Sequence, residues 1–333
     1  MEKRSYWIGL GLSIFFLFLF LRKIDFIEVW EIFKNVEFIY TLPLMVINLF
    51  SLWIRAKRWE YLLNPIKKIR IWELFNATAI GFMANNILPA RVGEVVRAIV
   101  LGHRAKINKT ASFATIVVER LFDGFTILFL LLIVIFFMSF PTTGSSIFTQ
   151  GTIKSAGLLS FVFYSLVLGV LLLLRFQNRR ANQVISFFLK ILPEKISKKI
   201  TRQIDSFVSG LDVLKEFKDI LIIFFYSFFL WLMLSFSLYL LFAGFHLKLS
   251  LWAAVFLEVV LVFGVTIPSA PGYIGTFHWI CAAGLIFLGV GANQAKSFAV
   301  VLWLSGFIPV TGLGLLLLWK EGLSLNLLKK PEE

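Results

Sequence analysis

Apolar residues along this chain neither alternate with polar ones, as in a half-buried strand, nor keep to one stripe of a helix; they run on for the length of a bilayer crossing. Six runs qualify, at approximately Ser5 to Leu21, Phe38 to Ile54, Leu121 to Met138, Gly157 to Leu174, Ile220 to Ala243 and Ser297 to Trp319. A crossing of hydrocarbon needs about 17–25 such residues at about 1.5 Å of rise each. Lipid offers no hydrogen-bond partner to an open backbone group, so each run is expected as a helix. The pattern predicts an all-α polytopic membrane protein with about six full transmembrane helices, residues 1–333 forming one integral membrane domain. The first run follows Lys3 and Arg4 and ends in Phe20-Leu21-Arg22-Lys23 without a small-residue cleavage site, so a retained anchor is expected there.

Two further stretches are apolar but interrupted. Ile71 to Leu101 contains Asn85, Asn86, Pro89, Arg91, Gly93, Glu94 and Arg97, and Leu251 to Val290 contains Pro268, Ser269, Pro271, Gly272, Tyr273 and Gly275. Each holds Pro-x-x-x-Gly in the middle of a segment long enough to enter the bilayer and come back. Both read as broken or re-entrant helix pairs.

Charge between the runs assigns sides, because short cytoplasmic loops gather Lys and Arg. Arg55 to Arg70 holds six basic residues against Glu60 alone, and Arg175 to Asp219 holds ten against five acids. Ser139 to Lys154, Gly244 to Ser250 and Gly291 to Lys296 carry one charge each. The basic loops are therefore expected inside a cytoplasmic (plasma) membrane, together with both chain termini. Arg91 to Lys109 is also basic, so the first interrupted pair enters from the cytoplasm and returns, whereas neutral flanks make the second enter from outside. Opposed interrupted segments are the sequence mark of an inverted-topology repeat with a site near the midplane.

Composition narrows the function classes. The 333 residues are 59% hydrophobic with a net charge of +14, and that excess sits in a few clusters between apolar runs, which disfavours a nucleic-acid partner. A single cysteine, Cys281, and the scattered His103, His246 and His278 show neither disulfide nor metal-ligand spacing, so neither metal nor cofactor is expected. Residues 177–217 keep apolar positions at helical spacing amid charge, for example Val184, Phe187, Phe188 and Ile191. They read as amphipathic helices on the cytoplasmic surface, the alternative being a small solvated linker domain.

Charged residues at membrane depth are candidates for function, with paired structural ions as the standing alternative. In Ile87-Leu-Pro-Ala-Arg91-Val-Gly-Glu94-Val-Val-Arg97, a break leads into a helix start whose free N–H groups favour an anion, and Arg91, Glu94 and Arg97 follow at i, i+3 and i+6. This makes a cationic pocket, or a loop closed by Glu94 neutralising its arginines. Glu119 and Asp123 are i, i+4 with Arg120 beside them. They would lie about 12–18 Å deep if their helix starts near Ala111, and at the interface if it starts near Leu121. They are candidates for counter-charge, for gating or for a coupling proton. Arg55 and Arg58 share a face and offer a phosphate fork, or else a positive-inside anchor beside Trp59. Glu258 is the lone acid of the second interrupted pair, a proton site or a structural group.

Taken together, Arg55-Ala-Lys-Arg-Trp59, Asn85-Asn-Ile-Leu-Pro-Ala-Arg-Val-Gly-Glu94 with Arg97, Val118-Glu-Arg-Leu-Phe-Asp123 and Pro268-Ser-Ala-Pro-Gly-Tyr-Ile-Gly275 resemble the membrane region of lysylphosphatidylglycerol synthases, a flippase-like membrane protein family. The resemblance implies handling of membrane lipids across the bilayer. In the synthases a soluble domain aminoacylates phosphatidylglycerol; no segment here reads as that domain, so aminoacyl transfer is not expected. The function expected is a lipid translocase for a phospholipid or polyprenyl-phosphate-linked headgroup, bound by Arg91, Arg97, Arg55 and Arg58. The alternatives are a membrane-embedded lipid-modifying enzyme with Glu119 or Asp123 as base, and a non-transporting partner of a separate lipid synthase.

Overall fold

In the computed structural model, the residues described are 15, 18, 26–88, 92–138, 150–176, 201, 203, 205–208, 210–211, 217–266 and 269–322. Most of the first apolar run, the bulk of the 177–217 segment, and Pro89, Arg91 and Pro268 lie outside them. Among the described residues the fold is all-helical. In chain order the helices are α1 (Phe26–Asn35), α2 (Thr41–Leu63), α3 (Ile71–Ile87), α4 (Gly93–Ala105), α5 (Lys109–Phe137), α6 (Gln150–Phe176), α7 (Phe217–Gly244), α8 (Leu251–Val265), α9 (Thr276–Phe287) and α10 (Ala292–Lys320). Short 3₁₀ turns at Phe38–Tyr40 and Pro271–Tyr273 precede α2 and α9.

Among the described residues, four helical segments are long and apolar enough to cross a membrane: Phe38–Leu63, Lys109–Phe137, Lys218–Gly244 and Ala292–Lys320. In α6 the described apolar stretch, Ser155–Val170, is shorter. Two of the long helices overrun the boundaries that hydropathy suggests. The α2 helix does not stop at Ile54 where charge begins but continues through Arg55 and Arg58 to Leu63. The α5 helix starts at Lys109 because Asn108 caps it, its Oδ1 accepting from the Thr110 and Ala111 N–H groups at 2.8 and 3.2 Å. Glu119 thus lies ten residues, about 15 Å, along a continuous helix.

The interrupted stretches form two pairs of short helices. α3 and α4 have 17 and 13 residues, and α8 and α9 have 15 and 12. Within the first pair the arms cross at glycine: a Cβ on Gly93 would lie 2.0 Å from the Gly81 carbonyl oxygen, and one on Gly81 would lie 2.8 Å from that of Gly93. Asn85 ties the break by accepting from the Gly93 N–H at 2.7 Å, so one donor of the α4 N-terminus is already satisfied from within. In the second pair, Gly272 (φ +69°), Tyr273 (φ +58°) and Gly275 (φ +86°) turn the chain through the left-handed region that glycine adopts without a Cβ penalty.

Each pair anchors its own apolar core. One core joins α8 and α9 to the later parts of α5 and α7 and the start of α10; the other joins α3 and α4 to the end of α2 and the start of α5. Helices α2, α5, α7 and α10 contribute to both cores. On α5 the first core's residues begin at Ile127 and the second's end at Leu121; on α7 they part between Ile223 and Trp231. Polar residues collect in those gaps.

Candidate functional site

The two breaks meet against α10. The Trp303 indole N–H donates to the Gly272 carbonyl at 2.7 Å, and Asn86 donates to the Thr311 hydroxyl at 2.9 Å. A Cβ on Gly272 would sit 3.4 Å from the Asn86 carbonyl oxygen. Where they meet is a cavity of about 280 Å³, lined by Asn48 and Arg55 of α2, Asn86 of α3, Trp231 and Ser237 of α7, Glu258 of α8, Tyr273, and Trp303 and Phe307 of α10 among others.

Beside that cavity lies a buried charge network centred on the two carboxylates of α5. The Arg58 guanidinium grips Asp123 with both terminal nitrogens, at 2.5 and 3.1 Å, and donates to Ser227 at 2.6 Å. Asp123 also accepts from the Trp231 indole at 3.0 Å and lies 3.3 Å from Arg120. Glu119 Oε1 is surrounded by three cations: Arg58 at 3.0 Å, Arg97 at 2.9 Å and Arg120 at 2.5 Å. Both the Arg58 and Glu119 side chains are 0% exposed, so they persist as charges only because they compensate one another. Arg97 further stacks on Trp59, its Cζ 3.8 Å from the ring centroid, and the Trp59 indole is held by Thr115 at 2.8 Å.

Arg55 differs from these. It is buried, and its Nη1 lies 3.8 Å from an Asp123 oxygen that Arg58 already holds. Its guanidinium sits among rings, 4.7 Å from the Phe82 centroid and 5.4 Å from that of Trp231. Neither Nε nor Nη1 of Arg55 has a hydrogen-bond partner among the described residues. Arg55 thus stands in the wall of the cavity without a hydrogen bond among the described residues, a guanidinium of the kind that suits a phosphate or carboxylate.

The structure thus gathers Arg55, Arg58, Arg97, Glu119, Arg120 and Asp123, which the sequence scatters over 69 positions, into one network. Glu258 joins the cavity rather than the network. Glu94 accepts from Asn85 at 3.3 Å, and Arg97 pairs with Glu119 rather than with Glu94; Arg91, the other arginine of that spacing, lies outside the described residues. Pro89 and Arg91 lie outside the described residues, as does Pro268; Ser269 and Pro271 flank the second turn. Ser227 and Trp231, which hold Arg58 and Asp123, were missed by sequence reasoning. Their i, i+4 spacing inside an otherwise apolar span was the available signal. No group of three or more metal-ligating side chains occurs among the described residues.

Comparison with known proteins agrees with this picture of a polytopic membrane protein. Residues 6–314 match the family described as lysylphosphatidylglycerol synthase TM region. A UPF0104 membrane protein of Methanothermobacter thermautotrophicus is 24% identical over 305 residues, which cover 86% of this chain and 87% of that protein. No solved structure matches.

Proposed function

The chain belongs to the lysylphosphatidylglycerol synthase TM region family, and from that premise we propose that it is a lipid translocase of the cytoplasmic membrane. It would move the headgroup of a phospholipid or polyprenyl-phosphate-linked lipid between leaflets through the cavity between the interrupted pairs. The observation that carries this reading is Arg55, a buried arginine without a hydrogen bond among the described residues that lines the cavity where both helix breaks meet. A side chain so costly to bury is explained by a ligand that supplies the missing acceptors.

On this reading the short helices are half-crossings. At about 1.5 Å per residue α3, α4, α8 and α9 reach only about 18–26 Å, less than the roughly 30 Å of hydrocarbon, so each pair dips in and returns. The α3–α4 pair has basic flanks and enters from the cytoplasm; the α8–α9 pair has near-neutral flanks and enters from outside. Irregular backbone at that depth is tolerable where protein buries it, as α10 buries the Gly272 and Asn86 turns. Headgroup phosphate would sit on Arg55, with Arg58 and Arg97 behind it as fixed positive field and Glu119, Arg120 and Asp123 holding that field in place. Arg91, in the sequence between α3 and α4, is a further candidate cation for the same headgroup. Rocking of one pair against the other would expose the cavity to each leaflet in turn.

The test is reconstitution into proteoliposomes carrying fluorescently labelled lipids, with external quencher reporting transbilayer movement. Acceleration by the wild type, lost in Arg55→Gln, is expected, with lipid masses unchanged afterwards. No acceleration for any headgroup class, or a covalently altered lipid, would overturn the proposal.

A further inference from the structure

We infer that Glu258 is the coupling site of the transport cycle: it takes up a proton as phosphate settles on Arg55 and gives it up as phosphate leaves, so that lipid and proton cross the membrane together. This deepens the translocase reading and rests on it. The first observation is where Glu258 stands. It is the one charged residue of α8, flanked by the buried Leu257 and Val259, and it lies about 10 Å along that helix by its rise. It lines the same cavity as Arg55 and makes no hydrogen bond or ion pair among the described residues. An acid on so apolar a helix is costly unless its charge is answered or removed.

The second observation is which groups reach it. From α2 the charge acting on Glu258 is that of Arg55, and from α9 the titratable neighbour is the Cys281 thiol. The cavity meets Trp231 and Ser237 on α7, Trp303 and Phe307 on α10, and Tyr273 at the second break, none of them charged at neutral pH. His278 of α9 packs on Trp303, ring centroids 5.3 Å apart. On α5, Glu119, Arg120 and Asp123 are engaged with one another and with Arg58 and Arg97. The charge that favours an ionised Glu258 is therefore that of Arg55. Phosphate on Arg55 cancels that field and brings a second negative charge towards Glu258, so a proton joins the carboxyl as the ligand arrives; by reciprocity, a proton already in place favours the ligand. The third observation is the backbone. Unwound backbone carbonyls commonly coordinate the coupling sodium of a transporter, but α8 runs as unbroken helix through Glu258, with its carbonyls engaged in its own hydrogen bonds. A lone carboxyl on such a helix suits a proton.

Proteoliposomes holding the full chain test this, with the membrane potential clamped at zero by valinomycin and equal potassium, and with labelled phosphatidylglycerol, phosphatidylethanolamine and a polyprenyl phosphate as probes. With the lumen at pH 6 and the medium at pH 7, the probes that the protein moves should gather in the outer leaflet by up to about tenfold relative to protein-free vesicles, as one proton per lipid requires, and reversing the gradient should reverse the bias. Glu258→Gln should abolish the bias, whereas Glu258→Asp, which keeps a carboxyl, and Cys281→Ala, which removes the neighbouring thiol, should keep it. The wild-type measurement needs no variant, so a misfolded Glu258→Gln protein does not protect the inference. Wild-type movement that ends in equal leaflets despite the gradient, a bias towards the acidic side, or a bias that survives Glu258→Gln overturns the coupling site and leaves the translocase standing. Movement of none of the probes, with or without a gradient, overturns both.

Discussion

Replacing Asp123 by asparagine removes one charge and almost no volume, and the network foretells a large cost. Asp123 receives both terminal nitrogens of Arg58 and the Trp231 indole, and it neighbours Arg120 at 3.3 Å and Arg55 at 3.8 Å. Without its charge, Glu119 is the carboxylate left in contact with Arg58, Arg97 and Arg120. Breaking a buried ion pair by removing one partner typically costs about 3–5 kcal/mol, because the other charge stays buried and uncompensated. Equilibrium unfolding in mixed micelles, followed by tryptophan fluorescence, measures this. Asp123→Asn should lose about 3 kcal/mol or more, while Glu31→Ala, which breaks the exposed Glu31–Lys34 pair, should lose less than about 1 kcal/mol. In a double-mutant cycle, Arg58→Met combined with Asp123→Leu should cost less than the sum of the two single changes by about 0.5–3 kcal/mol. A loss below about 1 kcal/mol for Asp123→Asn would refute the reasoning, since it would mean that water or a shifted side chain already screens these charges.

Other consequences follow from the same contacts. Gly93→Ala places a methyl group 2.0 Å from the Gly81 carbonyl oxygen, so it should prise α3 from α4 at a cost of about 3 kcal/mol or more, seen as loss of the monodisperse peak on size exclusion. Trp231→Phe keeps the ring and drops the bond to Asp123, and should cost about 1.5–3 kcal/mol in the same unfolding titration. Gly272→Ala must hold a non-glycine residue at φ +69° with its Cβ 3.0 Å from Phe307; a loss of about 1–2 kcal/mol is expected, without the collapse caused at Gly93.

The long spans α2, α5, α7 and α10 were legible in the sequence because a bilayer demands long apolar runs and nothing subtler. The two interrupted stretches were legible for the converse reason: Asn85, Asn86 and Pro89, and later Pro268 to Gly275, are residues that no simple crossing tolerates in such number. Boundaries were harder to read where a charge is compensated from far away in the chain. Arg55 and Arg58 look like the end of a span because hydropathy does not register that Asp123, 65 residues on, neutralises Arg58 inside it. The start of α5 is set by the Asn108 cap, which hydropathy and charge do not register. Spacing brought Glu119 and Asp123 to one face, but it holds no sign that Arg97 pairs with Glu119 or that Asn85, from α3, donates to Glu94. No local pattern places Glu258 and Arg55 in one cavity; that depends on how α2 and α8 pack around α7.

Side-specific labelling of single cysteines, in a Cys281→Ala background and intact cells, tests the opposed half-crossings most directly. Cysteines at Arg70 and Lys106, the two ends of the α3–α4 pair, should both react only from the cytoplasmic side, and cysteines at Lys248 and Gly291, the two ends of the α8–α9 pair, only from outside. If the two ends of either pair label from opposite faces, that pair crosses the membrane outright, and the inward-meeting hairpins with their shared headgroup cavity are contradicted.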